Sequence, residues 1–264
     1  MSTVVSAVEL RTVGRRATWA LAAREMRRVL SLWTQTLLPP VLTGLIFLAV
    51  FGGALGPRLH SIDGVRYVRF ILPGLLVMTV ASQAFANSST SLFQAKNEGY
   101  IDDLLTSPLR AWQLTAGYMT GGILRGWLSA TLLALAAAPF AGAPTHALIL
   151  IAALALTGFI FAALGVISGV WAETFDQHAF IANLIITPLA LLGGVFYAAS
   201  RLHQPWRIVT QIDPLYYLAD ATRYGHAAVH ETSIATSLLV ALAAAAAAAG
   251  IASAVISRGW RLKP

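Results

Sequence analysis

The chain has 264 residues, 57% of them hydrophobic and 11% charged, with a mean hydropathy of +0.71. A soluble domain carries about 25% charged residues, so an ordinary water-facing enzyme, a disordered chain and a fibre are excluded. The net charge of +7 comes from 16 Arg and 2 Lys spread between apolar runs, which suits the flanks of membrane spans better than a nucleic-acid stripe, and the lack of cysteine removes disulfides and thiolate chemistry.

Residues 1–34 form a charged N-terminal segment. Arg15-Arg16 is followed by Arg24, Arg27 and Arg28, with no apolar core before about residue 35, so no cleavable signal is expected. Ala17 to Trp33 is predicted as an amphipathic helix on the membrane surface. Trp19, Met26, Leu30 and Trp33 share one face, and Arg24, Glu25, Arg27 and Arg28 the other. The alternative is a charged flank that only sets topology. A transmembrane helix needs about 20 mainly apolar residues. Six stretches qualify: 35–56, 70–92, 113–139, 146–170, 178–198 and 233–256. The expectation is an all-α polytopic membrane protein with a six-span domain over 35–256 and a tail over 257–264. Connections of some length remain at about 93–112 and 199–232. Lys/Arg counts are eleven on the side of the termini and six on the other, with Arg125 inside a span. That bias puts both termini in the cytoplasm.

Between the second and third spans, Gly99 permits a sharp turn and Pro108 ends a helix at or before Ser107. Ile101, Leu104 and Leu105 fall at i, i+3, i+4, flanked by Glu98, Asp102 and Asp103. A short acidic and apolar helix outside the membrane suits a groove on a soluble partner. Otherwise the helix turns that face back to the bilayer. Arg125 lies about twelve residues into the third span, where a charge costs about 2.5–3.5 kcal/mol on insertion scales. Gln83, Asn87, Asn183 or an acid at a helix end could accept from it. It reads as a structural polar clamp, as a contact for an anionic substrate, or as a snorkelling side chain. Pairs such as Gly117/Gly121, Gly122/Gly126 and Gly165/Gly169 allow close helix approach, and none is assigned to a subunit interface. The 199–232 loop mixes Trp206, Tyr216, Tyr217 and Tyr224 with Arg and Asp, which fits interfacial or re-entrant short helices, or aromatic anchoring alone.

Catalytic motifs are missing. Neither lysine, Lys96 nor Lys263, follows a glycine, so there is no P-loop. H-E-x-x-H and G-x-S-x-G do not occur. His226 and His230 are four apart with Glu231 next, but no third ligand can be placed, so no metal site is assigned. Exposed loop histidines are the plainer reading. No enzymatic activity is expected of this chain.

Gly99, Asp102, Leu104, Leu105, Ser107 and Pro108 match G-[TS]-[LI]-E-x-L-L-x-[TS]-P, a pattern of the permease subunits of ABC-2 type transporters. Asp102 stands in the usual Glu place, and Tyr100 departs where a small hydroxyl residue is common. Thr187-Pro188-Leu189, with Leu192 to Tyr197, resembles the end of that family's fifth span. Asp213, Pro214, Tyr217, Asp220 and Arg223 resemble its N/D-P-[LIV]-x-Y-x-x-[DE]-x-x-R stretch, with Asp213 in place of the commoner Asn. The chain is most similar to the branch with nodulation-factor and polyketide-drug exporters. The resemblance implies six spans, an N-terminal amphipathic helix and a separate ATPase subunit that carries ATP and Mg, with no cofactor on this chain. It implies a second permease chain, in a homodimer, and a bacterial cytoplasmic (inner) membrane. Residues 98–108 would be the coupling helix. Glu173-Thr174-Phe175-Asp176 would be a second cytoplasmic contact, or a plain turn. The substrate would be lipid-like, glycolipid, polysaccharide or drug-like. Rival readings are an ATP-independent channel or secondary carrier, and a membrane assembly factor.

Overall fold

A computed structural model describes residues 7–55, 61–62, 64–259 and 261. Its helices are α1 (Ala7–Ser31), α2 (Trp33–Thr36), α3 (Leu38–Val50), α4 (Tyr67–Asn97), α5 (Ile101–Thr106), α6 (Ala111–Ala141), α7 (Ala147–Trp171), α8 (Phe175–Leu192), α9 (Trp206–Ile212), α10 (Pro214–Ala227) and α11 (Ile234–Ser257). A π-helical turn, Phe51–Leu55, continues α3, and a two-residue hairpin, Ser61–Ile62 with Val65–Arg66, leads into α4. The expected all-α class is therefore found. Five segments are long and apolar enough to cross a membrane: 33–53, 67–97, 111–141, 147–171 and 234–257. The sixth expected stretch, 178–198, is α8, which runs 18 residues and stops at Gly193, short of the expected end.

The breaks follow local chemistry. Pro39 and Pro40 sit in the first turn of α3, where a missing N–H costs nothing. Gly99 has φ +81, which glycine adopts without strain, and this turns α4 into α5. Thr174 caps α8 by accepting from the Gln177 backbone N–H at 3.2 Å.

Helix α4 is the axis of the bundle and is buried along most of its length, packed between α6 and α7. Glycines bring those two helices close. A Cβ at Gly122 would lie 2.5 Å from the Ala84 carbonyl oxygen, and one at Gly165 would lie 2.5 Å from that of Phe85. The Gly117/Gly121 pair does a different job and receives α1: a Cβ would meet Leu21 at the first and Glu25 and Asn87 at the second. These small residues serve packing within the chain.

Helix α1 corrects the expected division of faces. Leu21, Ala22, Glu25 and Val29 are the buried stripe, against α6, with Glu25 reaching Ser91 on α4. Trp19, Leu30 and Trp33 point outward together with Arg24 and Arg27. Docking on the protein, and not only on lipid, selects the narrow stripe of smaller side chains that fits over Gly117 and Gly121.

Two ends of the bundle are distinguishable. Pro108 lies beside Gly14, and Arg24 stacks over the Tyr100 ring at 5.1 Å. Lys96 donates to the Val170 and Ala172 carbonyls, and Arg261 pairs with Glu173 at 3.3 Å. Gly14 and Arg24 of α1, Arg261, α5 and the 173–176 turn thus share one end. At the other, the His146 backbone N–H donates to the Gly225 carbonyl at 2.7 Å and Arg69 donates to Thr145 at 3.1 Å.

Candidate functional site

The short helix α5 bridges two 31-residue helices, α4 and α6. Its apolar face is not offered outward. Ile101 is buried in the chain's own core, and Tyr100, Leu104, Leu105 and Leu109 pack against that core. A helix of six residues cannot hold its shape alone, so its i, i+3, i+4 stripe anchors it to the bundle. Exposed on it are Asp102, Asp103 and Thr106, and exposed in its flanks are Glu98, Gly99 and Pro108. Asp102 and Asp103 lie in its first turn, where acids suit the helix dipole.

The 173–176 segment sits at the same end. Glu173 donates its backbone N–H to Gln177 Oε1 at 3.0 Å, completing a reciprocal cap with Thr174. Phe175 meets Phe93 edge-on at 4.8 Å. Lys96, at the last turn of α4, reaches the carbonyls that end α7. Glu173, Phe175 and Asp176 stay exposed. The two acidic segments are therefore joined through α4, by Phe93 and Lys96, which the sequence did not single out.

Arg125 projects from the middle of α6 and is half-buried. Of its expected acceptors only Gln83 lies with it, on the wall of one cavity. Asn87 is instead taken by Arg28, whose Nη2 donates to Asn87 Oδ1 at 3.2 Å. Asn183 is exposed on α8, away from Arg125. One buried acid with three partners was not foreseen: Glu25 accepts from Ser91 Oγ at 2.6 Å and pairs with Arg28 at 3.2 Å and Arg24 at 2.9 Å. Its signal in the sequence is a lone acid placed on the Leu21, Ala22, Val29 stripe.

The outer-loop residues form one interlocked unit. Asp213 caps α10, accepting from the Leu215 backbone N–H at 2.8 Å, and Pro214 takes the first helical position. Burial pushes the Asp213 carboxyl up to about 6. Asp220 is fully buried, accepts the backbone N–H groups of Glu231 and Thr232 at 2.8 and 3.0 Å, and is likewise raised by burial. Arg223 donates to the Gly194 carbonyl at 2.7 Å and lies 4.1 Å over the Phe70 ring. Tyr217 is half-buried, edge-on to Tyr216. The 192–197 and 213–223 stretches, far apart in sequence, thus meet at Gly194. His226 is buried and His230 is exposed. They do not share a helical face, because Ala228 turns left-handed at φ +58 and ends α10 between them.

A family model described as ABC-2 type transporter matches residues 16–226. The "Inner membrane transport permease YadH" of Escherichia coli (strain K12) is 33% identical over 242 residues, covering 91% of this chain and 94% of that protein. "Nodulation protein J" of Rhizobium leguminosarum bv. viciae is 26% identical over 205 residues, or 75% of this chain and 78% of that one. The relative of that name in Rhizobium meliloti (strain 1021) is 24% identical over 203 residues, covering 75% and 78%. The match extends from α1 through α10 and takes in every motif above, so the chain belongs to the ABC-2 type transporter family, as a membrane permease of the branch that includes these two kinds of relative.

Proposed function

We propose that this chain is the transmembrane subunit of an ATP-driven exporter in the bacterial cytoplasmic membrane, working as a homodimer with two copies of a separate ATPase that binds ATP and Mg. The observation that carries this reading is the exposed acidic edge of α5, at the same end as Glu173 and Asp176. Helices α4 and α6, at 31 residues each, are about 46 Å long against about 30 Å of hydrocarbon. They can therefore hold α5 in water below the membrane, and α5 is fixed to them by Ile101. A push on α5 moves α4, and through Lys96 and Phe93 it moves α7 and α8 as well. Closure of the ATPases on nucleotide would rock the permease halves by this route.

Six spans and cytoplasmic termini belong to this reading. Glu173 and Arg261 meet at one end while α11 crosses once, so the chain between them must cross once more, and α8 is the element available. The substrate class follows the relatives: lipid-like, glycolipid, polysaccharide or drug-like. A secondary carrier is disfavoured because Arg125, an ionisable side chain at mid-span, joins no acid in an ion pair for coupling among the described residues.

The test is affinity capture of the tagged chain from its native membrane, with mass spectrometry and an ATPase assay. A P-loop ATPase is expected at about equal amount, and Asp102→Arg with Asp103→Arg should lose coupling while keeping membrane insertion. Recovery of the chain alone under several detergents would move the weight to a channel or carrier.

A further inference from the structure

The cavity beside Arg125 has a volume of about 310 Å³, within the range of small-ligand sites. It lies between α2–α3, α4 and α6. Its polar lining is Gln35, Thr43, Thr79, Ser82, Gln83 and Arg125. Pro39, Phe47, Leu75 and Met78 supply the apolar part. Leu75 and Thr79 are buried at its floor, whereas Gln35, Pro39 and Thr43 are exposed at its mouth. The mouth therefore opens beside the first span, on a face at membrane depth.

The electrostatics of this cavity are unbalanced. Arg125 Nε and Gln83 Oε1 are both buried with no hydrogen-bond partner among the described residues. Arg125 joins no ion pair among those residues. The described acids are engaged elsewhere or stand at the two ends of the bundle: Glu25 with Arg24 and Arg28, the α5 and 173–176 acids at one end, Asp213, Asp220 and Glu231 at the other. Arg28, a like charge, also acts on Arg125. A guanidinium left at mid-span without an acceptor is costly, and its planar fork matches an oxyanion bidentately. A turn of its terminal amide would let Gln83 donate to the same anion. Hydroxyls of Ser82 and Thr79 complete the donor set. The apolar wall and the mouth at membrane depth fit a molecule with an apolar tail better than a free ion.

We infer that this cavity binds the oxyanion headgroup, phosphate or carboxylate, of an anionic amphiphile that enters from the bilayer past α3. As a statement about the transported substrate this rests on the exporter reading; as a binding site it stands without the ATPase.

The test uses the full-length chain, delipidated in neutral detergent and titrated with fluorescent dioctanoyl phosphatidic acid. Unlabelled dioctanoyl phosphatidic acid, dioctanoyl phosphatidylcholine and inorganic phosphate serve as competitors. Phosphatidic acid should compete at least tenfold better than phosphatidylcholine, and inorganic phosphate should not compete at millimolar concentration. Arg125→Gln, which eases insertion by removing a buried charge, should weaken binding about tenfold and erase the preference. Arg125→Lys should keep part of it, and Gln83→Leu provides a variant with the charge in place. Wild-type affinity in Arg125→Gln, or equal competition by the two lipids, overturns the site. Competition by inorganic phosphate as strong as by the lipid overturns the bilayer source. A dimer that dissociates in Arg125→Gln with lipid affinity unchanged assigns the cavity to the second permease chain, and also overturns the proposal. Selective binding without a co-purified ATPase would sink the exporter reading alone; an ATPase partner without selectivity would sink this inference alone.

Discussion

Asp213 shows how one side chain carries both a signal and a cost. Its Oδ1 caps α10, but Oδ2 is buried with no hydrogen-bond partner among the described residues. Burial raises the carboxyl from an ordinary 3.8 to about 6, so the folded state holds the proton more tightly than the unfolded one. The resulting stability is fully present below about pH 3.8 and is lost as pH rises through about 6, by an amount on the order of 3 kcal/mol. Asp213→Asn keeps the capping oxygen and removes the charge. We expect this variant to have a higher Tm than wild type at pH 7.5 and a flatter Tm profile between pH 4 and pH 7. A thermal scan in detergent across that range checks it, and a variant that is less stable at pH 7.5 would contradict the burial argument. The sequence placed Asp213 in a motif, but its lone unpartnered oxygen became visible only with the packing of α10.

Among the elements, α4 is central because its neighbours are smooth. Gly165 and Gly169 on α7 touch the α4 backbone at Phe85 and Ser89, and Gly122 and Gly126 on α6 touch it at Ala84 and Val80. Dispersion falls off steeply with distance, so this closeness converts directly into contact. Gly165→Ala sets a methyl 2.5 Å from a carbonyl oxygen that is itself backbone and cannot step aside. It should cost about 1–3 kcal/mol through overpacking, measured as a lower Tm and lower yield. Gly250→Ala, on α11 with nothing near its Cβ position, should leave both unchanged or slightly raised. Equal loss in the two variants would refute the close-contact account. The small-x-x-x-small spacing was plain in the sequence, whereas its partner helix was not, since spacing does not say which neighbour lies opposite. In the same way α1 showed its charged and aromatic positions, but the stripe that docks was chosen by Gly117, Gly121 and the Ser91 hydroxyl that donates to Glu25.

For the whole molecule, the placement of α1 beside α5 and of Arg261 beside Glu173 at one end of the bundle makes topology a measurable quantity. The chain has no cysteine, so single-cysteine variants report without background. Glu98→Cys and Arg258→Cys, both exposed at one end, should react with an impermeant maleimide only in inside-out vesicles. His230→Cys, exposed at the other end, should react in intact spheroplasts. Labelling of Glu98→Cys and Arg258→Cys from opposite sides would break the six-span reading, and labelling of His230→Cys with them would remove α8 as a crossing.

The sequence by itself determined the membrane class, the five long spans, the position of α5 and the three family stretches. Each is a local property: in a bilayer every backbone polar group must be satisfied within its own helix, so length and hydropathy suffice to read a span. Tertiary structure alone decided how Arg223 reaches Gly194, how Glu25 is buried against Ser91, and how Arg125 is left beside Gln83 on the wall of one cavity, in no ion pair among the described residues. Those pairings join residues 29, 66 and 42 positions apart, respectively, and no periodicity encodes which side chains meet across helices. The apolar face of α5 illustrates the division: its spacing was legible, but whether it turned to a partner or to its own core was set by the room left beside α4.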